Sequence, residues 1–430
     1  MNFVLQNALD TSGNPVEVVI EAGQISSRKT KGVNHELVDC SGLHVLPGFV
    51  DLHTHLREPG FENSETIRSG SMSAAAGGYT AIHAMANTFP VADTAGVVEQ
   101  VFRIGRDVGL VHVQPIGAVT VGLAGEQLAE LGAMHDSAAN VRIFSDDGNC
   151  VHDPLLMRRA LEYVKAFGGI VAQHAQDPRL TKNAQMNEGV LSSRLGLAGW
   201  PALAEESIIA RDIMLTELTE SRLHVCHVST RRSVELIREA KARGVQVTAE
   251  VTAHHLLLTE DLAESYDPLY KVNPPLRKAD DVLALREALV DGTIDVIATD
   301  HAPHPKESKD TDWASAAFGM IGLEFAYTVA QQVLIDSGSA NLERLAEVMS
   351  TTAARIAGLE GQGNYLLPGS IANLTLVDLG QAWVGEAETH SKSANNPYQG
   401  MDFKGRVVHT IYDGEFTLRN KIVRGHEDGV

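Results

Sequence analysis

From Pro47 onward the chain alternates short apolar β-type runs with helix-like segments, and this alternation restricts the fold more than any other feature. The runs are Phe49–His53, Tyr79–Met85, Leu110–Ile116, Val141–Phe144, Ile170–His174, Leu223–Val228, Val245–Val251 and Ile294–Ala298. Segments such as Asp153–Phe167 and Arg232–Arg243 separate them, the second with Val234, Ile237 and Ala240 at helical spacing. Eight β/α units in about 310 residues is the count of a closed (β/α)8 barrel of the TIM type. The expected fold class is therefore α/β, with the barrel over residues 48–360.

The flanks read differently. Val16, Val18 and Ile20 share one face of a strand, Gly23 supplies a turn, and Ile25 resumes the apolar pattern. Similar hairpin signals return in Leu374–Asp378 and Val407–Tyr412, with a turn at Asp413-Gly414. Two short β pieces are each marginal alone. The expectation is that residues 1–47 and 361–430 together build one small β-sandwich-like domain.

Composition narrows the function classes. A net charge of −20 over 430 residues argues against general nucleic-acid or membrane-surface binding. An anionic ligand would need a local positive site. Cys40, Cys150 and Cys226 lie far apart without CxxC spacing, which argues against a disulfide framework or a thiolate zinc site. The segment Met1–Asn7 has no basic n-region, and no stretch is long and apolar enough to span a bilayer, so a cytoplasmic location is expected.

In a barrel of this kind the active site lies at the C-terminal ends of the strands. Polar residues cluster at those ends: His53, His55 and Arg57, then Asn87 and Thr88, Asp146 and Asp147, His174, His227, and Asp300 to His304. Side chains two apart on an extended chain point to one face, so His53 and His55 can grip one metal ion. Arg57 would face the same space if the chain stays extended. Imidazole and carboxylate ligands suit zinc, without excluding manganese or cobalt. Four histidines and two aspartates exceed one tetrahedral shell but serve two ions if a carboxylate bridges. Such a site lowers the pKa of bound water and polarises a carbonyl, and an aspartate at its edge can shuttle protons.

On these residues the chain resembles the dihydroorotases of the amidohydrolase superfamily, over nearly its whole length. The matching stretches are Pro47–Arg57, Met85–Thr88, Phe144–Gly148, Lys271–Arg277 and Ala298–His304. The HxH pair and the final aspartate are common to the superfamily. The HxHxR, Asn-Pro-Pro-Leu-Arg and Asp-His-Ala-Pro-His patterns are more specific together. The resemblance is to the class I type, in which an aspartate replaces a carboxylated lysine as the metal bridge. It implies two zinc ions per subunit, with His53, His55 and Asp300 on one, His174 and His227 on the other, and Asp147 on both. Asp300 would also be the general acid/base. Arg57, Asn87 and His304 would bind the substrate carboxylate, with His55 and Leu56 beside them. Asn273 would touch the ring, as would the backbone of Phe318 and Gly319. Lys306–Ala317 would form a mobile loop.

The implied reaction interconverts (S)-dihydroorotate and N-carbamoyl-L-aspartate in pyrimidine synthesis. The implied partners are this small-molecule substrate pair, further copies of the chain in a homo-oligomer, and aspartate transcarbamoylase. Two other readings compete. A hydantoinase, dihydropyrimidinase or allantoinase would normally use a carboxylated lysine and would not require a carboxylate-binding arginine. A non-catalytic scaffold subunit would have lost metal ligands. Asp146, Asp51, His254, His255 and His301 are expected to support the site rather than bind metal. His35, His44, His112, His135, His409 and His426 show no partner pattern.

Overall fold

The eight apolar runs become eight parallel strands. The computed structural model describes residues 2–27 and 35–425. Its barrel strands are β1 (Phe49–Thr54), β2 (Tyr79–Ala84), β3 (His112–Pro115), β4 (Ile143–Phe144), β5 (Ile170–Gln173), β6 (Leu223–Val225), β7 (Val247–Thr252) and β8 (Val296–Ala298). Strands β1 to β3 pair in order, and so do β4 to β8. Parallel bridges from Gly117 to Phe144 and from Thr54 to His301 join the two sets, so the sheet closes on itself. Every residue of β1, β2 and β5 is buried, as expected of parallel strands covered on both faces. Inside, Val50, Leu52, Ile143, Ile170 and Val296 pack with Ala353 and Ile356 from a late helical segment.

The helices between strands follow from local sequence. Asp153 caps Pro154–Lys165 by accepting from Leu156 N–H at 2.8 Å, and Pro154 suits the first helical turn. That helix buries Met157, Ala160, Leu161 and Val164 on one stripe. Thr230 caps Arg231–Ala242 in the same way, and Val234, Ile237 and Ala240 face the barrel core. Each cap contributes about 1 kcal/mol, whereas a fully buried isoleucine such as Ile237 contributes about 2 kcal/mol, so packing decides where these helices lie.

Strands from both ends of the chain join one nine-stranded sheet among the described residues. His44–Pro47 pairs antiparallel with the start of Leu374–Val384, in the register Leu374–Pro47 and Leu376–Val45. Leu374–Val384 continues to Asp402–Tyr412, which pairs with Glu415–Arg419. Phe3, Leu5, Ile20, Val45, Leu376 and Ile411 form a core for this sheet. Tyr398, Phe403 and Val407 instead join the large barrel core, which seats the sheet against the barrel. Among the described residues no helix is long and apolar enough to cross a membrane.

Candidate active site

Six polar side chains converge at the C-terminal ends of the barrel strands. Asp147 is at their centre and divides its two oxygens. Its Oδ2 lies 3.4 Å from His53 Nε2 and 3.3 Å from His55 Nε2. Its Oδ1 lies 3.1 Å from both His174 Nδ1 and His227 Nε2. Asp300 Oδ1 approaches His55 Nε2 at 3.0 Å and His53 Nε2 at 3.4 Å. The other Asp300 oxygen has no partner among the described residues. All six side chains are buried. His227 and Asp300 hold left-handed φ values of 32° and 44°, an uncommon conformation for such residues and one that clusters at functional sites.

The outward-facing ring nitrogens show what the centre can hold. His53 Nδ1 donates to Glu250 Oε1 at 2.6 Å, His55 Nδ1 to Asn87 Oδ1 at 2.9 Å, and His174 Nε2 to Gln176 Oε1 at 2.6 Å. Each of those nitrogens therefore carries a proton, and with a metal bound each ring would be neutral and turn a lone pair inward. The inner nitrogens face carboxylate oxygens, and His174 Nδ1 lies only 2.9 Å from His227 Nε2. His53 Nε2 is buried without a hydrogen-bond partner among the described residues. Such an arrangement needs positive charge at its centre, and the donor set fits divalent metal. The groups His53, His55, Asp147 and Asp147, His174, His227 each bring their ligand atoms within 4.8 Å of one another. Burial alone would push His53 down, but the Asp147, Glu250 and Asp300 carboxylates reverse this and push it well above its ordinary value. The same histidines outweigh burial at Asp147 and hold its carboxyl well below the usual range.

Glu250 was not singled out from the sequence. It sits in β7 and accepts from His53 Nδ1, from His224 Nε2 at 3.0 Å and from His227 N–H at 3.2 Å. The available signal was an acidic residue inside a β-type run whose other residues are uncharged. Glu250→Gln turns an amide N–H toward a donor nitrogen and should weaken metal binding about 10–100-fold. Metal retention against a competing chelator measures this; retention equal to the parent protein would refute the role.

The residues expected on the substrate side differ in their surroundings. Arg57 does not continue the strand. Its φ is 64°, and it reaches the site through a turn, with Nε donating to Pro303 O at 3.2 Å. Its terminal amino groups have no hydrogen-bond or ion-pair partner among the described residues. Burial lowers its pKa to about 10, against the pull of Asp300 and Asp147, so it stays charged. Leu56 turns away from the site, packing its side chain in the core and against the face of Gly70. Asn273 Nδ2 donates to Gln176 Oε1 at 3.0 Å, while its Oδ1 is buried and unpartnered. His304 is pushed down to about 3 by burial and by the Arg57 and Lys309 charges. Its single N–H is on Nε2, because that atom faces Phe318 O at 2.7 Å. Gly319 N–H donates to Lys271 O at 3.0 Å.

The Lys306–Ala317 segment is tied down in this structure. Lys271 Nζ donates to the carbonyls of Trp313, Ala314 and Ala316 at 2.7, 3.2 and 2.7 Å. Lys309 Nζ donates to Pro268, Lys271 and Ala317 carbonyls at 2.8, 3.0 and 2.8 Å. Four of the five expected supporting residues also have definite partners. Asp51 accepts from His53 N–H at 3.0 Å and from Thr299 Oγ1 at 2.5 Å, tying β1 to β8. Asp146 accepts from the Val119 and Thr120 N–H groups at 2.8 and 2.9 Å. His301 Nε2 donates to Glu65 at 3.2 Å, and His255 Nε2 to Pro274 O at 3.2 Å. His254 Nε2 is buried without a hydrogen-bond partner among the described residues. Cys226 Sγ lies within 4.8 Å of ligand atoms of His53 and Glu250, so one of the three cysteines borders the centre. His426 lies outside the described residues.

A closed parallel barrel with imidazoles and carboxylates gathered at the C-terminal ends of its strands defines a metal-dependent hydrolase of the amidohydrolase kind. The family described as Dihydro-orotase-like matches residues 42–233. A dihydroorotase of Streptomyces coelicolor is 58% identical, covering 96% of this chain and 98% of its own. One from Mycobacterium tuberculosis is 50% identical, covering 96% and 97%. Among solved structures, the L-hydantoinase (dihydropyrimidinase) of Arthrobacter aurescens superposes with a TM-score of 0.88 at 27% identity, covering 98% of this chain and 97% of its own. A dihydropyrimidinase of Brevibacillus agri gives 0.84 at 23% identity over 99% and 96%, a likeness of fold. The chain belongs to the dihydroorotase family.

Proposed function

We propose that the chain performs the dihydroorotase reaction of pyrimidine biosynthesis, the reversible hydrolysis of (S)-dihydroorotate to N-carbamoyl-L-aspartate, at the centre around Asp147. The observation that carries this reading is the set of inner imidazole nitrogens gathered around two carboxylates, with the outer nitrogens held by acceptors. His53, His55 and Asp300 would hold one zinc ion, His174 and His227 a second, and Asp147 both. Bound there, the ions would lower the pKa of a water molecule and polarise the ring amide carbonyl. Asp300 keeps one oxygen on His55 and leaves the other free to take the water's proton and hand it to the departing ring nitrogen. In the reverse direction the same carboxylate removes the proton of the attacking carbamoyl nitrogen. Arg57 presents its two free amino groups to the substrate carboxylate as a fork. Asn273 Oδ1, buried and unpartnered, suits a ring N–H.

This reading extends to assembly. The chain is a cytoplasmic protein, with residues 48–360 as the catalytic barrel and 1–47 plus 361–430 as the small β domain. A homo-oligomer is supported by the outer face of helix Leu203–Thr219, where Leu203, Met214 and Leu218 are 57%, 61% and 63% exposed. Association with aspartate transcarbamoylase is tested by co-elution of the two proteins.

The decisive experiment combines metal analysis of chelator-free protein with assays on dihydroorotate, hydantoin and dihydrouracil. Two metal equivalents and turnover far above background on dihydroorotate alone are expected. Preference for a neutral ring would overturn the substrate assignment. Arg57→Lys replaces a fork with a point charge and should raise KM for dihydroorotate about tenfold with metal content intact. Unchanged KM and kcat in that variant would remove Arg57 from the carboxylate site.

A further inference from the structure

A segment from outside the barrel reaches the substrate side of the site. Between Leu374–Val384 and Asp402–Tyr412, residues 385–401 leave the nine-stranded sheet and run along the barrel's upper loops. Ser393 Oγ donates to Ser64 O at 2.7 Å, and Lys392 N–H to Glu65 Oε1 at 3.2 Å. Asn395 reaches further. Its side chain is 2% exposed and uses its acceptor and both donor hydrogens. Oδ1 accepts from His304 N–H at 3.2 Å, and Nδ2 donates to Ala302 O at 2.9 Å and Gly319 O at 3.1 Å. The Asn395 carbonyl accepts from Ile321 N–H at 3.1 Å.

These contacts join two separate stretches, Ala302–His304 after β8 and Gly319–Ile321. Both touch the groups aimed at the substrate. Arg57 Nε leans on Pro303 O, inside the first stretch. His304 Nε2 donates to Phe318 O, and a Cβ on Gly319 would come within 2.7 Å of that nitrogen, so the second stretch presses on the His304 ring. Asn395 thus bonds on both sides of Pro303, to His304 N–H and Ala302 O, and so holds the carbonyl that receives Arg57 Nε.

We propose that Asn395 is a positioning residue for recognition of the substrate carboxylate, a clamp supplied by the segment between two terminal strands that fixes the backbone on which Arg57 leans. The proposal rests on the reading of Arg57 as the carboxylate site. Asn395 touches no reacting atom and acts through the backbone it holds. The inference concerns ground-state binding, so its mark is a change in KM with kcat nearly kept.

Asn395→Asp keeps the shape and the acceptor but sets an oxygen against the Ala302 and Gly319 carbonyls. It should raise KM for dihydroorotate about tenfold, the worth of one or two lost hydrogen bonds. The Ki of orotate, a planar ring carboxylate, should rise in step. The Ki of acetohydroxamate, a small chelator without a carboxylate, should not move, and metal content should stay constant. Asn395→Ser, which retains a shorter polar group, should show the same pattern if the aspartate variant fails to fold. Asn396→Asp is the control. Asn396 is equally buried but bonds within its own segment, to Glu386 O at 2.8 Å and Tyr398 N–H at 3.0 Å. It should lower Tm and leave KM alone. Unchanged KM and orotate Ki in both Asn395 variants overturn the clamp, as does an equal KM rise in Asn396→Asp. If Arg57→Lys leaves KM unchanged, the carboxylate site itself is misassigned, a failure separate from that of Asn395.

Discussion

Asp147→Ala should lose metal and activity together, whereas Asp146→Ala should keep most of its metal. The two neighbours differ in what surrounds them. Asp147 lies between two pairs of imidazoles, 3.3 and 3.4 Å from one pair and 3.1 Å from both members of the other. Removing it leaves four inward lone pairs with no shared anion, so the loss of affinity should exceed the about 10–100-fold typical of an outer partner. Asp146 is committed to the Val119 and Thr120 N–H groups, and its loss should cost about 1–3 kcal/mol of local stability. An aspartate is anionic and has two oxygens, so it bridges without modification. The preceding strand, Ile143–Phe144, offers no lysine to be carboxylated. Gly148, with φ of 87° and Asn87 Nδ2 only 3.4 Å from where a Cβ would sit, lets the chain turn closely after Asp147. Metal-free protein given zinc should therefore regain activity without bicarbonate. A strict bicarbonate requirement, or the reverse ranking of the two variants, would refute Asp147 as the bridge.

Asp300→Asn should lower turnover about 10²-fold or more, the usual scale of general acid–base catalysis. The amide keeps the shape and one oxygen for metal but cannot accept the proton. In the parent protein burial would raise this carboxyl, but the His53 charge and the His55 hydrogen bond hold it down at about 2, so it is ionised and able to receive a proton. Metal content and kcat must be measured together. A variant that keeps its metal and near-parental turnover would assign the base to another group.

The substitutions divide along a line between local and long-range information. The eight apolar runs are the eight barrel strands because strand burial is written in consecutive residues, and a run covered on both faces is largely apolar. The imidazoles and carboxylates stand at strand ends for a similar reason, since a barrel concentrates its chemistry at one rim. The Leu110–Ile116 and Val141–Phe144 runs shortened to His112–Pro115 and Ile143–Phe144, because strand ends depend on pairing with a neighbour.

Arg57 shows where local reasoning stops. Spacing alone put it on the face of His53 and His55, but the chain turns at φ of 64° and delivers it by another path. Leu56, one residue earlier, went to the core.

The chain's sequence by itself determined the barrel, the ligand chemistry and the position of both along the chain, because periodicity and donor type are properties of neighbouring residues. Only the tertiary structure decided which nitrogen of each histidine faces inward and what holds the substrate loops. Glu250 is 197 residues from His53, and Asn395 is 91 from His304. A hydrogen bond across such a separation leaves no spacing pattern to read, since it exists only after the sheet has closed and brought the two segments together.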